Sequence, residues 1–144
     1  MRFTGKWLVC TDGEIRPVIR VEVLGIQGTA YSENFLIDTG ADRTVLSAAF
    51  LNALQLPGSP APLGLSLAGI GGMGAYVVVA TVLVFTADDG SVGRFQGQFA
   101  AFTDPAATDR SILGRDVLDR FDVILSRRRN EVLLLIGNHP YRVI

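Results

Sequence analysis

The chain is apolar in short runs separated by glycine, proline and polar turns. Residues Ile15–Leu24 alternate, with Ile15, Ile19, Val21 and Val23 on one side and Arg16, Arg20 and Glu22 on the other, which is the two-residue period of a half-buried strand. Gly25-Ile26-Gln27-Gly28 turns it, and residues 31–37 read as the returning strand, with Tyr31, Phe35 and Ile37 facing away from Ser32, Asn34 and Leu36. That strand runs directly into Asp38-Thr39-Gly40. After the apolar pair Val45-Leu46, the Ser47 hydroxyl is placed to cap a helix over residues 48–54, and the proline-bounded stretch 57–62 predicts a rigid loop. A hairpin follows, with arms at 63–68 and 75–85 and the tip Gly69-Ile70-Gly71-Gly72-Met73-Gly74, too glycine-rich to be held still by local contacts.

Asp88-Asp89-Gly90 marks another turn, residues 91–102 a returning strand and residues 103–110 a polar loop. Ser111-Ile112-Leu113-Gly114 enters a short helical segment at 115–120, and residues 121–126 and 132–136 read as two final strands. The pattern is mainly β, with one or two short helices. No internal repeat supplies a second copy of the Asp38 segment.

Composition narrows the choices. A chain of 144 residues with 49% hydrophobic content fits one domain, and 16 glycines with 6 prolines favour strands and turns over long helices. Thirteen basic and 14 acidic side chains are well mixed, so no broad field exists to hold a nucleic-acid backbone. The cluster Arg127-Arg128-Arg129, followed by Asn130 and flanked by apolar residues, fits a solvated hairpin turn. Cys10 is the only cysteine and His139 the only histidine, which excludes an intrachain disulfide and a conventional Cys/His metal site; no metal or cofactor is implied. The longest apolar run, 75–85, contains Thr81 and is about half of what spans a bilayer. The start shows no secretory apolar core. A soluble, cytoplasmic protein without a membrane span is the expectation.

Asp-Thr-Gly alone is weak evidence, since an ordinary Asp-Gly turn contains the same residues. Its setting says more: the aspartate ends the apolar strand Phe35-Leu36-Ile37 and is followed by a glycine loop and a second apolar piece. Such a loop can hold a carboxylate beside backbone N–H groups. The glycine-rich 69–74 segment lacks the Lys-Ser/Thr ending and the strand-to-helix setting of phosphate loops.

Asp38-Thr39-Gly40-Ala41-Asp42, Gly69-Ile70-Gly71-Gly72 and Ile112-Leu113-Gly114-Arg115-Asp116 resemble, in order, the catalytic loop, flap tip and third landmark of the retroviral-type (retropepsin-like) aspartic peptidases. These are the single-domain dimeric branch of the pepsin-like group. The resemblance covers about residues 15–125 and implies a closed β-barrel with a glycine-rich flap hairpin. It implies Asp38 as the catalytic aspartate, with Thr39, Gly40 and Ala41 supporting the loop: Thr39 exchanges hydrogen bonds across two loops and Gly40 lets the backbone approach the substrate. Gly69, Ile70, Gly71 and Gly72 would form the flap, Asp42 would lie near the substrate backbone and pair with Arg115, and Gly114 would leave room beneath the catalytic loop. The implied enzyme is an endopeptidase acting on peptide or protein substrates as a homodimer, each copy supplying one Asp38.

The corresponding division is an N-terminal extension at 1–14 that can pack on the barrel, a peptidase-like domain at 15–136 and a tail at 137–144. Asp116, Asp119 and Asp122 are rival second carboxylates, Asp116 having a routine helix-start role available to it. Residues 132–136 are apolar on both strand faces, so that strand either presents one face to a second subunit or is a buried central strand of a monomer. The other functional class open to the fold is a catalytically silent module that clamps an extended peptide by β-strand addition.

Overall fold

The computed structural model describes residues 1–60 and 76–139. In chain order the elements are β1 (Arg2–Thr4), β2 (Lys6–Val9), β3 (Ile15–Leu24), β4 (Ala30–Ile37), β5 (Val45–Leu46), α1 (Ala48–Leu54) and β6 (Ser59–Pro60). They continue as β7 (Tyr76–Thr86), β8 (Val92–Phe102), β9 (Ile112–Leu113), α2 (Arg115–Leu118), β10 (Asp122–Ser126) and β11 (Glu131–Leu135). The mainly β expectation therefore holds, with two short α-helices among the described residues.

Alternation in β3 and β4 puts Ile19, Val21, Val23, Phe35 and Ile37 into the main core, while Val18 and Leu36 bury the opposite face against Ile112. Both faces of β4 are thus covered where it approaches Asp38. The eight-stranded sheet runs β2-β3-β4-β9-β5-β8-β7-β6, and a further pairing of β3 with β7, Glu22 opposite Val84 and Val23 opposite Leu83, curls it back on itself. The two-residue strand β9 lies between β4, to which it is parallel, and β5. The chain between β4 and β5 must therefore loop around the end of β9, and this loop carries Asp38.

A second sheet, β1-β11-β10, closes the other side. Phe3 of β1 packs edge-on against Phe85 and Phe121, at centroid separations of 6.0 and 5.6 Å, so the first strand belongs to the main core. Trp7 of β2 donates its indole N–H to the carbonyls of Ser126 and Glu131, each at 3.2 Å, with Arg127 stacked over its ring. The arginine run forms the β10–β11 turn, where Asn130 takes a left-handed φ of 54°. β11 is the central strand of this sheet, and Val132, Leu133, Leu134 and Leu135 are all buried within the single chain. Of the two readings of 132–136, the buried central strand is the one observed.

Three details differ from the sequence expectations. β1 and β2 were not legible, because three- and four-residue strands hold too few positions to display a period. Part of the 57–62 loop is strand: Ser59 pairs with Val78 and Pro60 with Val77, a place open to proline because β6 is the outermost strand of its sheet among the described residues. The helix expected at 115–120 is a single turn ending at Leu118.

Candidate active site

The Asp38 loop is fastened on one side by backbone groups. Asp38 N donates to Leu113 O at 3.1 Å, extending the β4–β9 pairing by one residue, and Ala41 N donates back to Asp38 O at 3.2 Å to close the turn. Arg115 N donates to Ala41 O at 2.8 Å and Asp116 N to Asp42 O at 3.2 Å. The otherwise unused N–H groups at the start of α2 are thus spent on the loop's carbonyls. Within the loop, Gly40 N donates to Asp38 Oδ1 at 3.0 Å, which orients the carboxyl. Each such bond contributes about 0.5–1.5 kcal/mol net, so the set holds the loop firmly without a hydrophobic core of its own.

Gly114 is required here for space. Its backbone, at φ −99° and ψ −177°, is ordinary extended chain, but a Cβ there would lie 2.4 Å from both the carbonyl carbon and oxygen of Arg43. The strand end and the loop pack backbone to backbone.

Thr44 completes the fastening and was not singled out from the sequence. Fully buried, it donates from N and Oγ1 to Asp116 Oδ1, at 2.9 and 2.7 Å, while its Oγ1 accepts from Gly114 N at 3.1 Å. Asp116 therefore ties α2 to the start of β5, a larger role than capping its own helix. A threonine immediately before the buried Val45-Leu46 pair was the available signal. A second polar chain lies behind β4: Ser111 Oγ donates to Glu33 Oε2 at 2.5 Å and accepts from Ser47 N at 3.0 Å, while Ser47 Oγ caps α1 by accepting from Phe50 N at 3.2 Å. Burial pushes the Glu33 carboxyl above its ordinary value, against the opposing effect of the Ser111 hydroxyl.

On the loop's other side the side chains meet solvent. Asp38 is half-buried, while Thr39, Gly40, Asp42 and Arg43 are exposed. Asp42 pairs with Arg115, whose guanidinium the Asp42 carboxylate raises above its ordinary value. With their side chains 78% and 52% exposed, the two form a surface pair of small energetic weight. Asp38, Gly40, Ala41, Asp42, Gly114 and Arg115 are thus brought together in one cluster, with Thr39 on its exposed side. The flap residues Gly69, Ile70, Gly71 and Gly72, and Met73 beside them, lie outside the described residues.

Among the rival carboxylates, Asp116 is engaged by Thr44, and Asp122 is held by His139 Nε2 at 2.6 Å. Among the described residues, no group of three or more His, Cys, Asp or Glu side chains converges as metal ligands would. No helix among them is long and apolar enough to cross a membrane.

Residues 20–117 match a protein family described as aspartyl protease. The fold is similar to that of a retropepsin-like aspartic protease from Rickettsia conorii, with a TM-score of 0.53 and 15% identity over 93% of this chain and 89% of that one. EIAV protease, solved in complex with an inhibitor, aligns at 27% identity with a TM-score of 0.49, over 77% of this chain and 92% of that one. A search of curated proteins found no match.

Proposed function

The chain belongs to the aspartyl protease family, matched over residues 20–117, and from that premise we propose that it is an endopeptidase whose active site forms when two copies each contribute one Asp38. The observation that carries this reading is the Asp38 loop itself. Its inner side is fully bonded to β9 and α2, and its outer side offers one oriented, half-buried carboxyl with Thr39 and Gly40 bare beside it. Water activation by aspartates needs two carboxyls facing one water. This chain has one such loop; of the three rival carboxylates, Asp116 and Asp122 are engaged elsewhere and Asp119 lies exposed at the C-terminal end of α2. Two-fold association is the direct way to bring a second identical loop to the first.

In the pair, one proton is shared, because like charges so close cannot both ionise. The ionised carboxylate takes a proton from water as the protonated partner donates to the scissile carbonyl oxygen. A tetrahedral diol results, with no covalent bond to the enzyme. Gly40 N, bonded to Asp38 Oδ1, keeps each carboxyl aimed, and Thr39, exposed next to it, is placed to bond across the two loops. Gly69, Ile70, Gly71 and Gly72 supply the flap over the peptide in this reading.

Cleavage of a diverse peptide library from about pH 3 to 7, where carboxyl pairs change protonation, tests the chemistry when run beside Asp38→Asn. Cuts that vanish in the variant support it; an intact library from a folded dimer points to a peptide-clamping module instead. Titrating inactive Asp38→Asn protein into wild type tests the shared site. A steady loss of wild-type activity is expected, and indifference to the added variant would show that one chain suffices.

A further inference from the structure

The end of the β2–β3 hairpin lies over the apolar surface that continues from Asp38. Leu36, two residues before Asp38, falls on the same side of its strand by the two-residue period, and with Val18 and Ile112 it forms a small cluster apart from the main core. Ala41 of the Asp38 loop and Leu8 of β2 both pack on this shelf. Beyond Leu8 the chain turns at 10–14, with Gly13 at a left-handed φ of 85°, and Thr11 Oγ1 donates to Asp109 Oδ2 at 3.1 Å. A cavity of about 390 Å³ lies between this turn, Leu36 and the 105–110 loop, and the Thr11–Asp109 bond joins two of its walls. The hairpin is held unevenly. Its root is fastened where the Trp7 indole bonds to the Ser126 and Glu131 carbonyls, whereas Val9 and Ile15, paired next to the turn, are 66% and 42% exposed. Asp12 accepts twice from Arg16, which stiffens the turn against its own hairpin. Among the described residues, Thr11–Asp109 is the one hydrogen bond from residues 10–14 that leaves the hairpin.

We propose that the end of the β2–β3 hairpin is a gate on the Asp38 site. Latched by Thr11–Asp109, with Leu8 seated on the Leu36 shelf, it keeps an extended peptide off that shelf; released, it swings from its Trp7 root and admits substrate. The proposal rests on the two-Asp38 endopeptidase reading. A segment with few buried apolar contacts and one outside hydrogen bond belongs to the low-stability end of a fold, where local opening is accessible. Only the open fraction takes up peptide, so the latch raises KM and leaves kcat unchanged.

Cys10, the chain's only cysteine, is buried at the start of the turn, so its labelling by a thiol-reactive aromatic disulfide reads gate opening independently of cleavage. Thr11→Val removes the donor and keeps the branched shape. Well below the melting midpoint, where labelling reports local opening, the variant is expected to label about two- to tenfold faster than wild type, the factor that one net hydrogen bond represents. Its KM for a cleaved peptide should fall by a similar factor at unchanged kcat. Asp38→Asn protein should label faster with saturating peptide than without it. Protection of Cys10 by peptide overturns the proposal, because the peptide then lies beneath a closed turn. So does Thr11→Val labelling at the wild-type rate, or labelling faster with KM unchanged or raised, which would make the hairpin end a wall of the site rather than a gate. The underlying reading fails separately, if wild type cuts no peptide or Asp38→Asn cuts as well as wild type.

Discussion

The Asp38 loop and the β1-β11-β10 sheet both lie outside the regular run of long strands, and they are stabilised by opposite means. In the loop, backbone hydrogen bonds to Leu113, Arg115 and Asp116 hold one side while the other stays exposed. In the sheet, the central strand is covered on both faces by its own chain and Phe3 anchors the edge strand β1 in the main core. The apolar C-terminal strand thus satisfies itself, whereas the polar Asp38 loop is left open.

Substitutions can break this contrast from either end. The largest effect is expected from Asp38→Asn, which should lower kcat/KM by roughly a hundredfold or more, the scale of a lost acid–base group, while leaving thermal unfolding close to wild type. A large drop in melting temperature would mean that the carboxyl is chiefly structural. Leu134→Ala should do the reverse. Truncating this fully buried β11 side chain should cost about 2–5 kcal/mol in urea unfolding, against at most about 0.5 kcal/mol for Leu125→Ala on the exposed side of β10. Equal costs would contradict the self-contained sheet.

Gly114→Ala probes the junction of loop and scaffold. Its methyl would meet the Arg43 backbone at 2.4 Å, so a loss of about 1–3 kcal/mol is expected, together with lower activity because the displaced segment carries Asp38. Stability loss with unchanged kcat would mean that the loop tolerates displacement.

The smallest effect concerns pH. The Glu33 carboxyl is raised above its ordinary 4.5 by burial, so the folded state binds this proton more tightly than the unfolded one. Its contribution to stability is fully present below about 4.5 and lost as pH rises through the folded-state value. The melting temperature of wild type relative to Glu33→Gln should therefore fall as pH is raised from about 4.5. A difference that stays flat across that range would remove Glu33 from the pH response.

Much of this was readable from the order of residues. Alternation placed β3 with its observed bounds, a single hydroxyl at Ser47 marked the cap of α1, and Asp38-Thr39-Gly40 stood at the end of an apolar strand, as it does in the fold. Asp42 and Arg115 were paired correctly across 73 positions, on a family resemblance that no local period could have supplied. Local chemistry speaks for such features because strand period, helix capping and tight turns are decided within a few neighbouring residues.

Only the folded chain decided the rest. Thr44 was not marked by the sequence and Asp116 was legible only as a helix-start residue or rival carboxylate; they meet because β9 lies between β4 and β5 and carries α2 against the loop. Val132-Leu133-Leu134-Leu135 reads equally well as a subunit contact or a buried strand. The choice fell to β1, whose three residues show no pattern by themselves, pairing along the strand's free edge. Contacts of this kind depend on what long-range pairing brings alongside, and a strand's own residues say how much must be buried without saying against what.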